Sequence, residues 1–497
     1  MNECPILPNR SPQFWTRRDW LRRAGAGLGM LGLAGLLADE GLLGSAAAAE
    51  ATPRSLDPFA ERPSHFLPRA KRVIWIFING GPSHVDTWDY KPKLAELDGK
   101  SIKSIDPEFK ETTGFFRNQV GGLMKSPFRF APRGECGKMV SGIFPHLGEH
   151  VDKMAFIHSG FSESNNHSPA LFMMNTGMPR MGFPCVGSWV TYGLGSESRN
   201  LPGFVVMSDP KGRGLPKGQA ANWGAAFLPG VYQGTYLKPT GQPIDNLIRP
   251  VTMTDPQQRA QLDLLKQFND LHQQQYAGEE ELSARIDSFE LAYRMQFAAP
   301  EAIDLSSETE ATQRLYGMGD PRCDHVARQC LVARRLVERG VRFVQIYSGG
   351  MENQRSWDGH IDIKGNHEQF AGETDQPVAG LLADLQQRGL LDETLVVWAG
   401  EFGRLPIAQT GAKPGRDHNP YCFTAWLAGG GAKGGVSYGE SDDVGYKAAV
   451  NKVHINDLHA TILHLLGMDH KRLTYKYNGR RFRLTDVGGE VLQPILA

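Results

Sequence analysis

Apolar residues along the chain gather into short unbroken runs: Val73 to Ile78, Met154 to His158, Phe204 to Met207, Phe343 to Tyr347, Leu395 to Trp398 and Phe423 to Leu427. Alternating apolar and polar positions mark strands with one wet face, whereas runs without alternation mark strands covered on both faces, as in a parallel sheet. Between the runs the apolar spacing changes to three and four. Val326, Cys330, Ala333 and Val337 form one stripe before Gly340, and Val378, Leu381, Leu382 and Leu385 form another before Gly389. Both predict helices with glycine stops. Asn456 is expected to cap a last helix that ends at Gly467. The alternation predicts an α/β fold: a doubly wound, mostly parallel sheet with helices on both faces.

Two stretches break the alternation. Residues from about 255 to 300 are Gln-rich and charged and carry a helical pattern without strand signal, which predicts an inserted helical hairpin. Residues from about 96 to 142 are rich in Gly, Pro and Lys without clear period and predict a loop-rich insertion. At the start of the chain, Thr16, Arg17, Arg18, Asp19, Trp20, Leu21 and Arg22 reproduce the twin-arginine pattern. A Gly-interrupted apolar stretch and small residues from Ser45 to Ala49 follow. The expectation is a signal peptide over residues 1–48, a linker over 49–70 and a single domain over 71–490. The twin-arginine translocase would be a partner during export, and the destination would be periplasmic or otherwise exported.

Composition narrows the possibilities. Lys plus Arg (54) equals Asp plus Glu (54) over 497 residues, which argues against a general nucleic-acid binder. Beyond residue 50 no apolar run reaches the roughly 18 residues of a membrane span, so the mature chain is expected to have none. Of six Cys, Cys4 lies in the signal; Cys136, Cys185, Cys323, Cys330 and Cys422 are too scattered for a disulfide framework or a metal clip. Cys323 and Cys330 are expected in the core.

In an open parallel sheet the ligand crevice lies beyond the carboxyl ends of the strands. After Ile78 come Asn79, Gly80, Gly81, Ser83, His84, Asp86 and Asp89; after His158 come Asn165, Asn166, His167 and Ser168. Tyr347 leads to Asp358, His360, Asp362 and His367, and Trp398 leads to Glu401 and Arg404, then to Arg416, Asp417 and His418. Four strand ends therefore deliver imidazoles and carboxylates to one edge of the sheet. Such a mixture of nitrogen and oxygen donors suits Zn, Mn or Fe better than Ca, which prefers oxygen alone.

Five motifs in this order carry a resemblance. They are Asn79-Gly-Gly-Pro-Ser-His-Val-Asp-Thr-Trp-Asp, Asn166-His-Ser-Pro with Thr176-Gly177, Trp357-Asp-Gly-His, Gly400-Glu-Phe-Gly-Arg and Gly415-Arg-Asp-His. Together they resemble the bacterial exported family called domain of unknown function family 1501, which is similar to the sulfatase and alkaline phosphatase superfamily. The resemblance implies an alkaline-phosphatase-like fold and a divalent metal ion. It places His167 where the sulfatase nucleophile stands, with Leu171 in place of an Arg. Glu401-Phe402-Gly403 stands in place of a metal-binding Asp-His-Gly, His418 in place of a distal metal His, and Asn79 in place of the first metal-binding Asp. No Cys or Ser can become a formylglycine at that position, and Asn79 and Phe402 each remove a ligand that a two-zinc cluster would use.

The metal candidates are Asn79, Asp86, Asp358, His360, Glu401, Asp417 and His418; the catalytic candidates are His167, Ser168, Arg404 and Arg416. Structural roles stand beside these. Asp358 and His360 also suit a capped turn, Glu401 an ion pair with Arg404 or Arg416, Asp86 and Asp89 caps for a turn at Pro92, and Ser168 an N-cap followed by Pro169. Gly80 and Gly81 are expected to let the backbone approach an anion or metal. The expected function is metal-dependent hydrolysis of an anionic phosphate or sulfate ester. The alternatives are a catalytically degenerate member that binds a sulfated or phosphorylated glycan, or a partner subunit of an exported assembly.

Overall fold

All six apolar runs become strands of one central sheet in a computed structural model that describes residues 58–109, 115–116, 119–238, 243–245, 247–275 and 280–497. The twin-arginine pattern and the expected signal peptide lie outside the described residues. The strands used below are β1 (Arg72–Ile78), β2 (Met154–Phe161), β3 (Phe204–Met207), β4 (Thr235–Leu237), β5 (Phe343–Ser348), β6 (Thr394–Ala399), β7 (Gly403–Gln409), β8 (Gly415–Asn419), β9 (Phe423–Ala428) and β10 (Val436–Tyr438). Across the sheet the order is β10-β2-β9-β6-β1-β5-β3-β4. β1 lies at its centre, where Val73 pairs in parallel with Phe343 of β5 and with Leu395 of β6.

β9 runs antiparallel to both of its neighbours, β2 and β6. Its sequence is as apolar as that of the parallel strands because burial of both faces, not direction, sets the composition. β7 and β8 form a separate antiparallel ribbon, with Val120–Leu123 on the other edge of β7. The stretch from 96 to 142 is thus less irregular than expected: Phe130–Arg133 and Lys138–Ser141 also pair as a short hairpin.

Each face of the sheet has its own core. Val73, Trp75 and Phe77 point to one side and Ile74, Ile76 and Ile78 to the other, the period of two that a strand requires. The helices are α1 (His167–Thr176), α2 (Val186–Leu194), α3 (Asp255–Gln275), α4 (Glu280–Ile303), α5 (Asp324–Glu338), α6 (Ile363–Gln387) and α7 (Ile455–Leu465). α1, α2 and α7 cover the first face through Leu171, Trp189 and Ile462; α5 and α6 cover the second through Cys330, Val337, Val378 and Leu382. Burying each of the Leu, Ile and Val side chains among these contributes roughly 1.5–3 kcal/mol of transfer free energy. α3 and α4 occupy the place of the expected helical insertion.

The last helix is capped differently from the sequence expectation. His454 is its N-cap, in a reciprocal box with Asp457, and Asn456 lies inside the first turn. Residues expected as a linker are bonded to the domain: the His65 and Ala70 amides donate to the Gly467 and Leu465 carbonyls at 2.8 Å, and Arg62 donates to the Tyr232 hydroxyl at 2.9 Å. Cys323 and Cys330 are buried, and the five described cysteines are free. Among the described residues no helix is long and apolar enough to cross a membrane.

Candidate metal centre

The carboxyl ends of β1, β2, β5 and β6 meet at one place, and the loops that leave them bring His167, Asp358 and His360 together with His418 of β8. Their ligand atoms all lie within 4.8 Å of one another, and the four residues are between 1% and 7% exposed. His360 Nε2 stands 2.8 Å from Asp358 Oδ1, His418 Nε2 3.2 Å from the same oxygen, and His167 Nε2 3.2 Å from Asp358 Oδ2. The Nε2 atoms of His360 and His418 are 2.9 Å apart.

The other nitrogen of each ring is anchored. His167 Nδ1 lies 2.7 Å from Glu401 Oε1, His360 Nδ1 2.8 Å from Gln409 Oε1, and His418 Nδ1 2.6 Å from the Asn165 carbonyl oxygen. All three partners accept hydrogen bonds, so Nδ1 of each ring carries a proton and the inward Nε2 is the nitrogen left to offer a lone pair to a cation. His167 Nε2 is buried, and Asp358 Oδ2 at 3.2 Å is its near polar neighbour, without an aligned hydrogen bond. Three inward lone pairs beside one carboxylate form a donor set that fits a cation. A tetrahedral ion with bonds of about 2.0–2.1 Å separates its ligands by roughly 3.3 Å, close to the spacings seen here.

Electrostatics point the same way. Burial opposes the charge on Asp358, yet Arg404 and the three imidazoles outweigh it and hold the carboxyl far below its usual range. Burial and the neighbouring His167 push His418 well below the ordinary imidazole value. Burial likewise opposes charge on His167, but the Asp358 and Glu401 carboxylates push that imidazole up to about 9. In the absence of an ion, then, a proton on His167 sits between two carboxylates where a cation would otherwise compensate them.

Local structure explains the placement. Gly80 has φ +102°, and a Cβ there would fall 2.5 Å from Ser356 Oγ and 2.6 Å from the Asp358 backbone nitrogen. Glycine at this turn therefore admits the Asp358 loop itself, not an anion, and frees the Gly80 N–H to donate to Glu401 Oε1 at 2.9 Å. Asn166, not Ser168, caps α1, accepting from the Ser168 amide at 3.2 Å. His167 is thereby the first helical residue, and Ser168, half-buried, is the second.

Both arginines are fully buried and bonded within the protein. Arg404 holds Asp358 Oδ1 at 2.6 Å, donates to the Gly81 carbonyl at 2.8 Å and also bonds the Gly80 carbonyl. Arg416 pairs with Asp86 through bonds of 2.7 and 3.1 Å. Neither has exposed area to offer a substrate oxygen; Arg404 orients a ligand, and Arg416 neutralises a carboxylate. Asp86 is accordingly an ion-pair partner outside the cluster. Asp89 caps no turn at Pro92 either: it accepts from Ser441 Oγ and lies 3.2 Å from Lys91 Nζ.

Glu401 pairs with neither arginine, since it stands behind His167. Asn79 directs its amide to the Gly350 carbonyl. Asp417 accepts from its neighbour's amide, His418 N–H, at 2.7 Å and from Phe116 N–H at 2.8 Å, and lies 4.0 Å from His360 Nδ1. It thereby fixes an aromatic pair over the centre, Phe116 with its edge towards the His360 ring and Phe115 tilted against His418. Phe402 fills the remaining side, 4.6 Å from the His418 ring and 4.9 Å from that of His167. Gln409 and the Asn165 carbonyl, which orient two of the imidazoles, carry no sequence signal that separates them from surface groups.

The family described as Protein of unknown function (DUF1501) matches residues 70–496. The chain belongs to that family. No curated protein matches this DUF1501 chain. Among solved structures it is similar to the alkaline phosphatase of the Antarctic bacterium TAB5, with 10% identity, TM-score 0.34, and coverage of 81% of this chain and 99% of that one. It is also similar to the PsFucS1 sulfatase from Pseudoalteromonas sp., with 11% identity, TM-score 0.33 and coverage of 80% and 68%. A third is the phosphonate monoester hydrolase from Silicibacter pomeroyi, with 11% identity, TM-score 0.31 and coverage of 71% of each chain. Likenesses of this size are too slight to carry a function across.

Proposed function

We propose that this DUF1501 protein is an exported, metal-dependent hydrolase of a phosphate or sulfate ester, built on an alkaline-phosphatase-like fold. One observation carries the proposal: three imidazoles anchored at Nδ1 bring their Nε2 atoms together around one carboxylate in a buried cluster beyond the strand ends. His167, Asp358, His360 and His418 would hold the ion, with Zn, Mn or Fe favoured by the donor types. A divalent ion there supplies Lewis acidity, which favours ionised water and the charge developing on a leaving oxygen. Glu401, Gln409 and the Asn165 carbonyl keep the lone pairs pointed inward, and Arg404 keeps Asp358 ionised and in place. Ser168, next to His167 at the start of α1, offers the hydroxyl nearest in sequence to the centre. The twin-arginine pattern of residues 16–22 supports export.

A second function is favoured by a specific feature. The motif resemblance puts His167 where a sulfatase would carry its nucleophile, and with it four protein groups would complete a tetrahedral set. A protein with a filled fourth position would bind an anionic glycan without turning it over. The deciding experiment loads purified mature protein with each metal and follows product release from phosphate monoesters, phosphate diesters and sulfate esters. The hydrolase proposal expects turnover that is lost on chelation and in His418→Ala. Stoichiometric metal with tight glycan binding and no product from any ester supports the binding function instead.

A further inference from the structure

Residues 471–486 carry six basic side chains, Lys471, Arg472, Lys476, Arg480, Arg481 and Arg483, against one acid, Asp486, in a chain whose charges balance overall. They surround a two-stranded antiparallel ribbon, Tyr475–Tyr477 with Arg480–Phe482. Asn478 and Gly479 make its turn with φ +46° and +82°, the two left-handed positions of a tight two-residue hairpin. Side chains alternate between the faces of a strand. Tyr475, Tyr477, Arg480 and Phe482 therefore share one face, and Lys476 and Arg481 share the other.

The aromatic face anchors the ribbon. Tyr477 stacks on Phe227 at 5.2 Å and 16°, and Phe482 lies 4.9 Å from the same ring. The other face is left with like charges. Lys476 stands directly opposite Arg481 in the ladder, both are exposed, and among the described residues neither side chain has an ion-pair or hydrogen-bond partner. Directly opposed side chains have Cβ atoms ~4.5–5.5 Å apart, and like charges there destabilise a ribbon. A lone hairpin is marginally stable at best, so an anion between the two cations would relieve a real strain on it. Arg180, over the Phe183 ring at 5.2 Å, extends the positive surface beside Phe482, whose ring is 6.1 Å from that of Phe183. Along the aromatic face a groove of about 600 Å3 opens between Tyr477, which is 43% exposed, and the segment from Phe227 to Val231.

We propose that the ribbon binds an acidic polysaccharide, one that bears sulfate or carboxylate groups. Its acid groups pair with Lys476 and Arg481, and one of its sugar rings packs a C–H face on the open side of Tyr477. Two short strands ~4.8 Å apart form a ridge narrow enough for a chain of several sugar units to meet both faces. A single-stranded nucleic acid fits less well, because its bases need several free ring faces. Here Phe227 is already stacked by Tyr475 at 18° and by Tyr477 at 16°. The surface is separate from the metal cluster. Just past the ribbon, Leu484 meets the far end of α1, where a Cβ on Gly177 would fall 2.1 Å from the Leu484 carbonyl oxygen. The 10 residues of α1, roughly 15 Å, separate that contact from the cluster.

The test measures the affinity of the purified protein for dextran sulfate, polygalacturonate and neutral dextran at low and at high salt. At least one of the two acidic polymers is expected to bind, less tightly as salt screens the charges, and neutral dextran is not. Lys476→Glu combined with Arg481→Glu should weaken that binding about tenfold or more. Lys125→Glu combined with Lys266→Glu, the same charge change at two exposed lysines elsewhere, should leave it unchanged. Tyr477→Ala should weaken it about threefold or more, and Tyr477→Phe, which keeps the ring, should not. Lys476→Glu alone puts opposite charges across the ladder, so binding should weaken while the thermal midpoint holds or rises; this separates lost binding from a lost fold. The proposal is overturned if neither acidic polymer binds, if the two double variants lose affinity equally, if Tyr477→Ala binds undiminished, or if Lys476→Glu lowers the midpoint. Tighter binding to single-stranded DNA or to phosphatidylglycerol vesicles than to either polymer would overturn it as well. None of these results depends on whether the centre holds a metal or turns over an ester.

Discussion

Replacing Glu401 by Gln removes one negative charge and keeps the side-chain shape. The Oε1 that accepts from His167 Nδ1 at 2.7 Å and from Gly80 N–H at 2.9 Å survives as an amide oxygen, so the imidazole stays in place. The amide nitrogen takes the place of Oε2, 3.2 Å from the Gly80 nitrogen, where two donors then face each other. Removing the carboxylate behind a ligand imidazole commonly costs 10–100-fold in metal affinity, about 1.4–2.8 kcal/mol. The same substitution lowers the affinity of His167 for its proton, which the carboxylates now hold up to about 9. Below that pH the proton competes with the metal, so weakening both returns part of the loss. The expected result is a deficit near the full factor at about pH 9.5 and a smaller one at about pH 7. In the unaltered protein apparent affinity should climb by up to about tenfold per pH unit between 7 and 9, and in Glu401→Gln less steeply. Chelator-competition titrations of zinc at four pH values measure both slopes. Equal affinity of the two proteins at high pH, or a deficit independent of pH, would refute the reasoning that Glu401 acts through His167.

Further outcomes follow from the same geometry. In the metal-free protein the raised His167 value contributes stability that is complete below about 6.5 and lost as pH rises through about 9, a change of roughly 3 kcal/mol; urea unfolding at both ends of that window checks it, and a flat profile contradicts it. Asp86→Ala leaves the Arg416 guanidinium charged and fully buried, so stability should fall by about 3–5 kcal/mol; a loss under about 1 kcal/mol would show the pair to be dispensable. Gly80→Ala puts a Cβ against the Asp358 backbone at a positive φ, and metal affinity should fall together with the thermal midpoint. A midpoint that drops while metal affinity holds would separate the turn from the centre.

The sequence displayed the strands well because two-sided burial forces unbroken apolar runs, and it displayed the candidate ligands because polar residues directly after such runs have few other uses. Strand direction was hidden: Phe423–Ala428 is as apolar as its neighbours and yet runs the other way. Arg404, Arg416 and Asp86 were legible as charged residues near the site, but not in their pairings. Arg416 and Asp86 stand 330 positions apart, and only the fold reveals that each neutralises the other. Capping was displaced by two residues at α1 and at α7, where Asn166 and Ser168, or His454 and Asn456, offer polar side chains two positions apart. Gln409, which fixes the tautomer of His360, was invisible because an amide that orients an imidazole looks in sequence like any polar residue on a strand.

The most direct measurement is the metal content of the protein purified without chelator, taken by mass spectrometry beside the His360→Ala and His418→Ala variants. One divalent ion per chain, absent from both variants, is the predicted result. A protein that carries none, and takes up none from a metal-buffered solution, would contradict the assignment of His167, Asp358, His360 and His418 as ligands.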